Sequence, residues 1–324
     1  MRVHIQNDPA EPVFAVTPEL WAEASARAGE KNHQVSFGLT PEEFREALAE
    51  AEVVIAAPST LAKLLPAPAP RLQLIFCTAA GVDALAPFTS LPPGAVLVNN
   101  RGVHGAKAGE YALMALLMLA NRMPALATAQ RNHRWEKHHG SLLAGRRLTV
   151  VGLGDMGAHA AELAARFGME VTGIRARPVP HFACVHVLGP EALDTCLPRT
   201  EFLLLACPLT AATRGLLNRE RIFLLPRGAG VVNIGRGQLI DEAALREALR
   251  VGHLSGAVLD VFTEEPLPPQ HPFWETPNLI LTPHVSADDP ARYIPVSLDI
   301  FFANLQAWRE GRPLPNQVDV VRGY

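Results

Sequence analysis

The chain has 324 residues, 48% hydrophobic and 19% charged, which is enough for two ordinary domains with sizeable cores and too apolar for a disordered chain. Its formal net charge of −3 leaves no basic excess to suit nucleic acid or an anionic membrane. The four cysteines (Cys77, Cys184, Cys196, Cys207) are far apart with no C-x-x-C, which argues against a disulfide framework or a cysteine zinc site. The first residues lack an apolar signal-like run, and the most lipid-like stretch, Tyr111 to Ala120, is too short to span a bilayer. A cytoplasmic protein is expected.

The chain opens with a strand at Val3 to Ile5. Thr40-Pro41-Glu42-Glu43 is a helix start, with a threonine cap, proline in the first turn and acids behind it, and that helix runs to about Glu50. Buried strands follow at Val53 to Ala56, Leu72 to Cys77 and Val96 to Asn99, with a proline-rich connector at Pro66 to Pro70. Residues 1 to about 100 therefore read as a small α/β domain. One long apolar helix is expected over Ala106 to Met123, then a polar, histidine-rich stretch from Arg131 to Gly140.

An apolar strand, Leu148 to Val151, runs straight into Gly152-Leu153-Gly154-Asp155-Met156-Gly157. A helix with Ala160, Leu163, Ala164 and Phe167 on one face comes next, Gly168 stops it, and a second strand spans Glu170 to Ile174. Strand, G-x-G-x-x-G, helix, strand is the pattern of a dinucleotide-binding turn. Its glycines allow a tight turn and a close approach to a pyrophosphate, and the helix start offers N–H groups and a positive dipole end. Further strands are expected at Glu201 to Ala206, Gly230 to Ile234, Gly256 to Asp260 and Asn278 to Leu281, with helices at Arg219 to Leu225 and Asp241 to Val251. That makes six strands in a doubly wound parallel sheet. Pro290 to Gly311 reads as a helix that packs back on the first domain.

In such sheets ligands sit beyond the carboxyl ends of the strands. Three side chains suited to one chemistry emerge there: Arg236 after Ile234 and Gly235, Glu265 a few residues after Asp260, and His284 after Thr282-Pro283. Arginine clamps a carboxylate with a fork of hydrogen bonds. Histidine exchanges a proton near neutral pH, and a carboxylate beside it orients the ring and keeps it charged. With a nicotinamide, this set moves a hydride and a proton between a 2-hydroxy acid and a 2-oxo acid.

The segments VVGLGDMG, LLLACPLTAATRGLLN, GVVNIGRGQLIDEAAL, GAVLDVFTEEPLP and NLILTPHVSA together resemble the D-isomer-specific 2-hydroxyacid dehydrogenase family, glyoxylate and hydroxypyruvate reductases included. The resemblance implies a Rossmann cofactor domain at residues 104–286. It also implies a smaller flavodoxin-like substrate domain at 1–103 and 287–324. It makes Arg236 the substrate-carboxylate arginine, His284 the acid/base and Glu265 its partner, since the family's acid directly precedes Pro-Leu-Pro. It casts Asp260 as the residue holding the nicotinamide carboxamide and Ala80 and Gly81 as backbone donors to the substrate. Cys207, Pro208 and Thr213 line the adenosine side, and Gly152, Gly154, Asp155, Met156, Gly157, Ile234, Gly235, Arg236 and His284 complete the cofactor contacts. Side chains around Ser59, Ala80, Arg101 and His104 would set the choice of acid. It further implies a homodimer through the helix near residues 106–123, with Trp135 reaching toward the partner. One departure stands out: where the family ends a segment in Ala-Glu, this chain reads Lys107-Ala108-Gly109-Glu110.

NAD-binding versions of the fold carry an acid at the end of the second strand for the ribose hydroxyls. Here Arg175 and Arg177 stand there, with no acid between Ile174 and Pro180. Arginines attract a 2′-phosphate, so NADP(H) is expected over NAD(H). His133, His138 and His139 do not match a standard ligand spacing, and no metal is expected. Two rival readings stay open. A formate-type dehydrogenase would pair its histidine with glutamine, whereas this chain has Glu265. A corepressor-like dinucleotide sensor could keep all three residues.

Overall fold

The computed structural model describes residues 1–323. The chain divides into two compact units, residues 1–104 with 289–324, and residues 105–288. In the first, β1 (Arg2–Gln6), α1 (Pro18–Arg27), β2 (Gln34–Gly38), α2 (Pro41–Leu48), β3 (Val53–Ala56), α3 (Pro58–Leu64), β4 (Leu74–Cys77) and β5 (Val96–Val98) alternate. They form a parallel five-stranded sheet in the order β2-β1-β3-β4-β5. This is the doubly wound order of the flavodoxin type. The sequence reading missed α1, β2 and α3. Yet α1 carries the same signals as α2, a threonine cap at Thr17 accepting from Leu20 N and proline in the first turn. β2 is an edge strand with exposed and half-buried residues alternating, which gives it little apolar signal.

The second unit starts with α4 (Gly105–Ala120) and α5 (Met123–Arg131). The expected single helix over Ala106 to Met123 is thus broken, with a bend of 67°. Pro124 explains the break. Its ring has no N–H and collides with the carbonyl four residues back, that of Ala120. That carbonyl instead accepts from Ser141 N at 2.9 Å, and Arg122 takes a left-handed φ of 57°. Among the described residues no single helix is long and apolar enough to cross a membrane.

β6 (Arg147–Val151), α6 (Asp155–Arg166), β7 (Glu170–Ile174), β8 (His186–Leu188), α7 (Leu193–Cys196), β9 (Phe202–Leu205), α8 (Arg219–Leu224), β10 (Ala229–Asn233), α9 (Glu242–Arg250), β11 (Leu254–Leu259) and β12 (Leu279–Leu281) complete this unit. Its parallel sheet has the order β12-β11-β10-β9-β6-β7-β8, the doubly wound order with the switch point between β6 and β9. It has seven strands rather than the expected six. The extra one, β8, is three residues long at the sheet edge and only partly buried, so it lacks the apolar run that marks its neighbours. β9 and β10 are buried throughout, as strands covered on both faces must be.

α6 buries Gly157, Ala160, Ala161 and Ala164. Phe167, expected on that face, is 46% exposed at the helix C-cap. The small residues serve close packing on α4. A Cβ on Gly109 would lie 3.0 Å from His159 Cβ, and one on Gly105 would lie 2.4 Å from Asp155 Oδ1. α10 (Tyr293–Arg309) belongs to the first unit, where Ile294, Leu298, Phe301 and Leu305 share a core with Val3, Ile5, Trp21 and Phe76.

Candidate active site

The glycine turn leaves β6 beside the switch point. Gly152 has φ +97°, and a Cβ there would meet the Cys207 backbone at 2.6 Å, so only glycine lets the β6 and β9 ends approach this closely. A Cβ on Gly157 would stand 1.8 Å from Gly152 O, which fixes the third glycine by contact between α6 and the turn. At Gly154 no atom lies within 4 Å of the added Cβ. The middle glycine thus faces open space at the start of a helix of 12 residues, the arrangement that suits a pyrophosphate. An NAD(P) dinucleotide fits this cradle. Asp155 turns its carboxylate toward α4, with Oδ1 3.6 Å from His159 Nδ1 and Oδ2 buried without a hydrogen-bond partner among the described residues. Met156 packs on the core below the turn.

Arg175 is half-buried and Arg177 exposed, both just past the carboxyl end of β7. Cys207 and Pro208 follow β9, and Thr213 closes that loop. Its hydroxyl donates to Pro208 O at 2.7 Å and accepts from Thr210 N at 2.8 Å.

β10 delivers Ile234, Gly235 and Arg236. A residue missed in the sequence, Asn233, holds this turn together. Buried at the strand end, it donates Nδ2–H to Arg236 O at 2.9 Å and accepts from Gly235 N at 3.0 Å. A polar residue closing an otherwise apolar strand is the signal that marks it. The Arg236 guanidinium donates to Gly235 O at 2.8 Å. Gly237 sits where a Cβ would strike Phe262 C at 1.9 Å, so the arginine turn is pressed against the loop that leads to Glu265.

Glu265 and His284 meet directly: His284 Nδ1 lies 2.7 Å from Glu265 Oε2, and Glu265 Oε1 accepts from Phe262 N at 2.8 Å. Burial works to raise the Glu265 carboxyl, but the bonds from His284 and Phe262 N–H, with the charges of His284 and Arg236, hold it below the usual carboxylate range. The hydrogen bond to Glu265 raises His284 above its ordinary value, against the pull of burial and of Arg236 and with help from Asp260. An ionised Glu265 only accepts, so His284 Nδ1 carries the donated hydrogen and Nε2 can exchange a proton.

Asp260 is fully buried. Oδ1 accepts from Thr282 Oγ1 at 2.5 Å and Val285 N at 2.9 Å, and Oδ2 accepts from Ser286 N at 2.9 Å. Its carboxylate therefore organises the His284 loop, whatever it also does toward a nicotinamide. In the other unit, the turn of Ala80 and Gly81 after β4 is braced by Asn99 Nδ2 on Ala80 O (2.8 Å), with Asn100 Nδ2 and Tyr293 O–H on Thr78 O (3.0 and 2.6 Å). Ser59 lies on α3, Arg101 donates to Pro315 O at 2.5 Å, and the His104 ring lies 5.3 Å from that of Tyr293. Lys107 is half-buried in the first turn of α4. Of the histidine-rich stretch, His138 stands 3.4 Å from Glu136 on the surface, and among the described residues no three ligating side chains gather for a metal.

Fold and strand edge together define a nicotinamide-dependent dehydrogenase. Residues 113–286 match the NAD-binding domain of the D-isomer specific 2-hydroxyacid dehydrogenases, and the chain belongs to that family, whose members use NAD(P). It is 34% identical over 266 residues to glyoxylate/hydroxypyruvate reductase A of Yersinia enterocolitica, covering 78% of this chain and 82% of that one. It is 33% identical over 260 residues to D-3-phosphoglycerate dehydrogenase of Methanocaldococcus jannaschii, covering 78% of this chain but only 49% of that longer relative. The crystal structure of a D-isomer specific 2-hydroxyacid dehydrogenase from Xanthobacter autotrophicus Py2, in complex with NADPH and MES, superposes with a TM-score of 0.81 at 31% identity. It covers 99% of both chains.

Proposed function

We propose that this protein reduces a small 2-oxo acid of the glyoxylate or hydroxypyruvate kind to its 2-hydroxy acid, using NADPH in preference to NADH. The observation that carries the reading is the 2.7 Å pair of His284 and Glu265 on the strand edge that also bears Arg236. A bound reduced nicotinamide supplies the hydride. Arg236 holds the acid's carboxylate and polarises the neighbouring carbonyl. His284 gives the proton from Nε2 to the carbonyl oxygen, and Glu265 keeps the imidazole charged until it does. Residues 105–288 are the cofactor domain in this reading. Residues 1–104 with 289–324 supply substrate contacts, the Ala80–Gly81 turn among them.

The preference for NADPH rests on Arg175 and Arg177 and agrees with the NADPH bound by the Xanthobacter relative. The choice of acid follows the reductase of Yersinia, most of whose length this chain matches. A homodimer is part of the proposal, supported by Trp135 at 97% and Leu142 at 80% exposure in the stretch after α5. Sedimentation of the purified protein tests it. A panel of 2-oxo acids assayed with NADPH and NADH tests the rest. Turnover of short 2-oxo acids with higher kcat/KM for NADPH supports the reading, and no turnover of any 2-oxo acid overturns it.

A further inference from the structure

His284 holds a left-handed backbone, φ 55°, a conformation that residues other than glycine rarely adopt. Such a conformation persists only where its surroundings hold it. Here the hold comes from the residues just after it. Val285 N and Ser286 N both donate to the Asp260 carboxylate at 2.9 Å, while His284 N donates to Asp260 O at 2.9 Å. The carboxylate is in turn held from below. Thr282 Oγ1 lies 2.5 Å from Asp260 Oδ1 and 2.5 Å from the Tyr111 hydroxyl on α4.

The direction of this chain follows from the donors available. A threonine hydroxyl has one hydrogen, and Asp260 accepts backbone N–H bonds on both carboxylate oxygens, so Thr282 gives its hydrogen to Asp260. Tyr111 must then donate to Thr282. Burial pushes the Tyr111 phenol up to about 12, so it keeps its hydrogen throughout the neutral range. The ring is 6% exposed and lies in the core that α4 shares with β6 and β9.

We infer that Tyr111 is a positioning residue for His284, acting through Thr282 and Asp260 to fix the left-handed turn that aims the imidazole at Glu265. The inference rests on His284 as the proton donor, but its structural half can be read without turnover. Tyr111→Phe removes only the hydroxyl, Thr282→Val removes the link while keeping the shape, and Thr282→Ser restores it.

In Tyr111→Phe and Thr282→Val, kcat falls about 5–20-fold, the worth of one or two hydrogen bonds. KM for the oxo acid and Kd for NADPH stay at the wild-type values, and Thr282→Ser recovers kcat. Amide hydrogen exchange at Val285 and Ser286 quickens in the first two variants and not in the third. The inference is overturned if both variants exchange these amides and turn over like wild type. It is equally overturned if kcat, KM and Kd all change together with Tm and Thr282→Ser behaves like Thr282→Val. Should Tyr111→Phe not fold, the valine and serine pair at Thr282 decides alone. Full turnover in His284→Ala would sink the functional reading instead, leaving the exchange rates to judge the positioning.

Discussion

A histidine that must donate a proton works only below its own pKa. Glu265 raises that of His284, so the donating form persists above the ordinary value of 6.5. Reduction should therefore hold a constant kcat/KM at low pH and lose it as pH rises through the raised value, while oxidation of the hydroxy acid rises over the same span. Glu265→Gln removes the largest raising influence and leaves burial and Arg236 opposed to the charge. The falling limb of its pH profile should move to lower pH, and a limb that stays in place contradicts the pairing. Arg236→Lys keeps the charge and loses the fork, so KM for the oxo acid should climb about 10-fold or more. An unchanged KM would remove Arg236 from the substrate. Arg236, Glu265 and His284 could be singled out in the sequence because strand-end position and the family resemblance both pointed to them, and the structure brings Glu265 and His284 together. Asn233, Thr282 and Tyr111 were not, because their worth lies in which carbonyl, carboxylate or hydroxyl they meet, and that depends on segments far apart in the chain.

Among the elements, the glycine turn was readable because its first and third glycines answer to short-range contacts, while the second, Gly154, faces open space. Gly157 is the sharpest case, its absent Cβ leaving room for Gly152 O. Gly157→Ala should force α6 away from the turn, lowering Tm by about 2–10 °C and weakening NADPH binding. A variant with wild-type Tm and affinity would show that the contact is not needed. Gly109 is a different lesson. A Cβ there would press on His159 of the facing helix, a contact between α4 and α6 that no local pattern announces. The break before α5 was open to reading, since Pro124 sits four residues after Ala120. The apolar run up to Ala120 drew the helix on past Asn121 and Arg122, the two polar residues at the break. α1 was missed despite a capped, proline-led start like that of α2.

At the scale of the whole molecule, two parallel sheets wound in both directions carry the argument. The larger one gathers the glycine turn, Arg175 with Arg177, and the His284–Glu265 pair beyond the carboxyl ends of its strands. Arg175→Ala with Arg177→Ala should raise KM for NADPH about 10–100-fold and leave NADH kinetics alone. A wild-type preference for NADH would remove the arginines from any role in cofactor choice. The most direct test of the central claim is single-turnover reduction of glyoxylate by His284→Ala loaded with NADPH. The account predicts that NADPH still binds and that the hydride-transfer rate is lower by about 10²–10⁴-fold. A rate equal to wild type would contradict it.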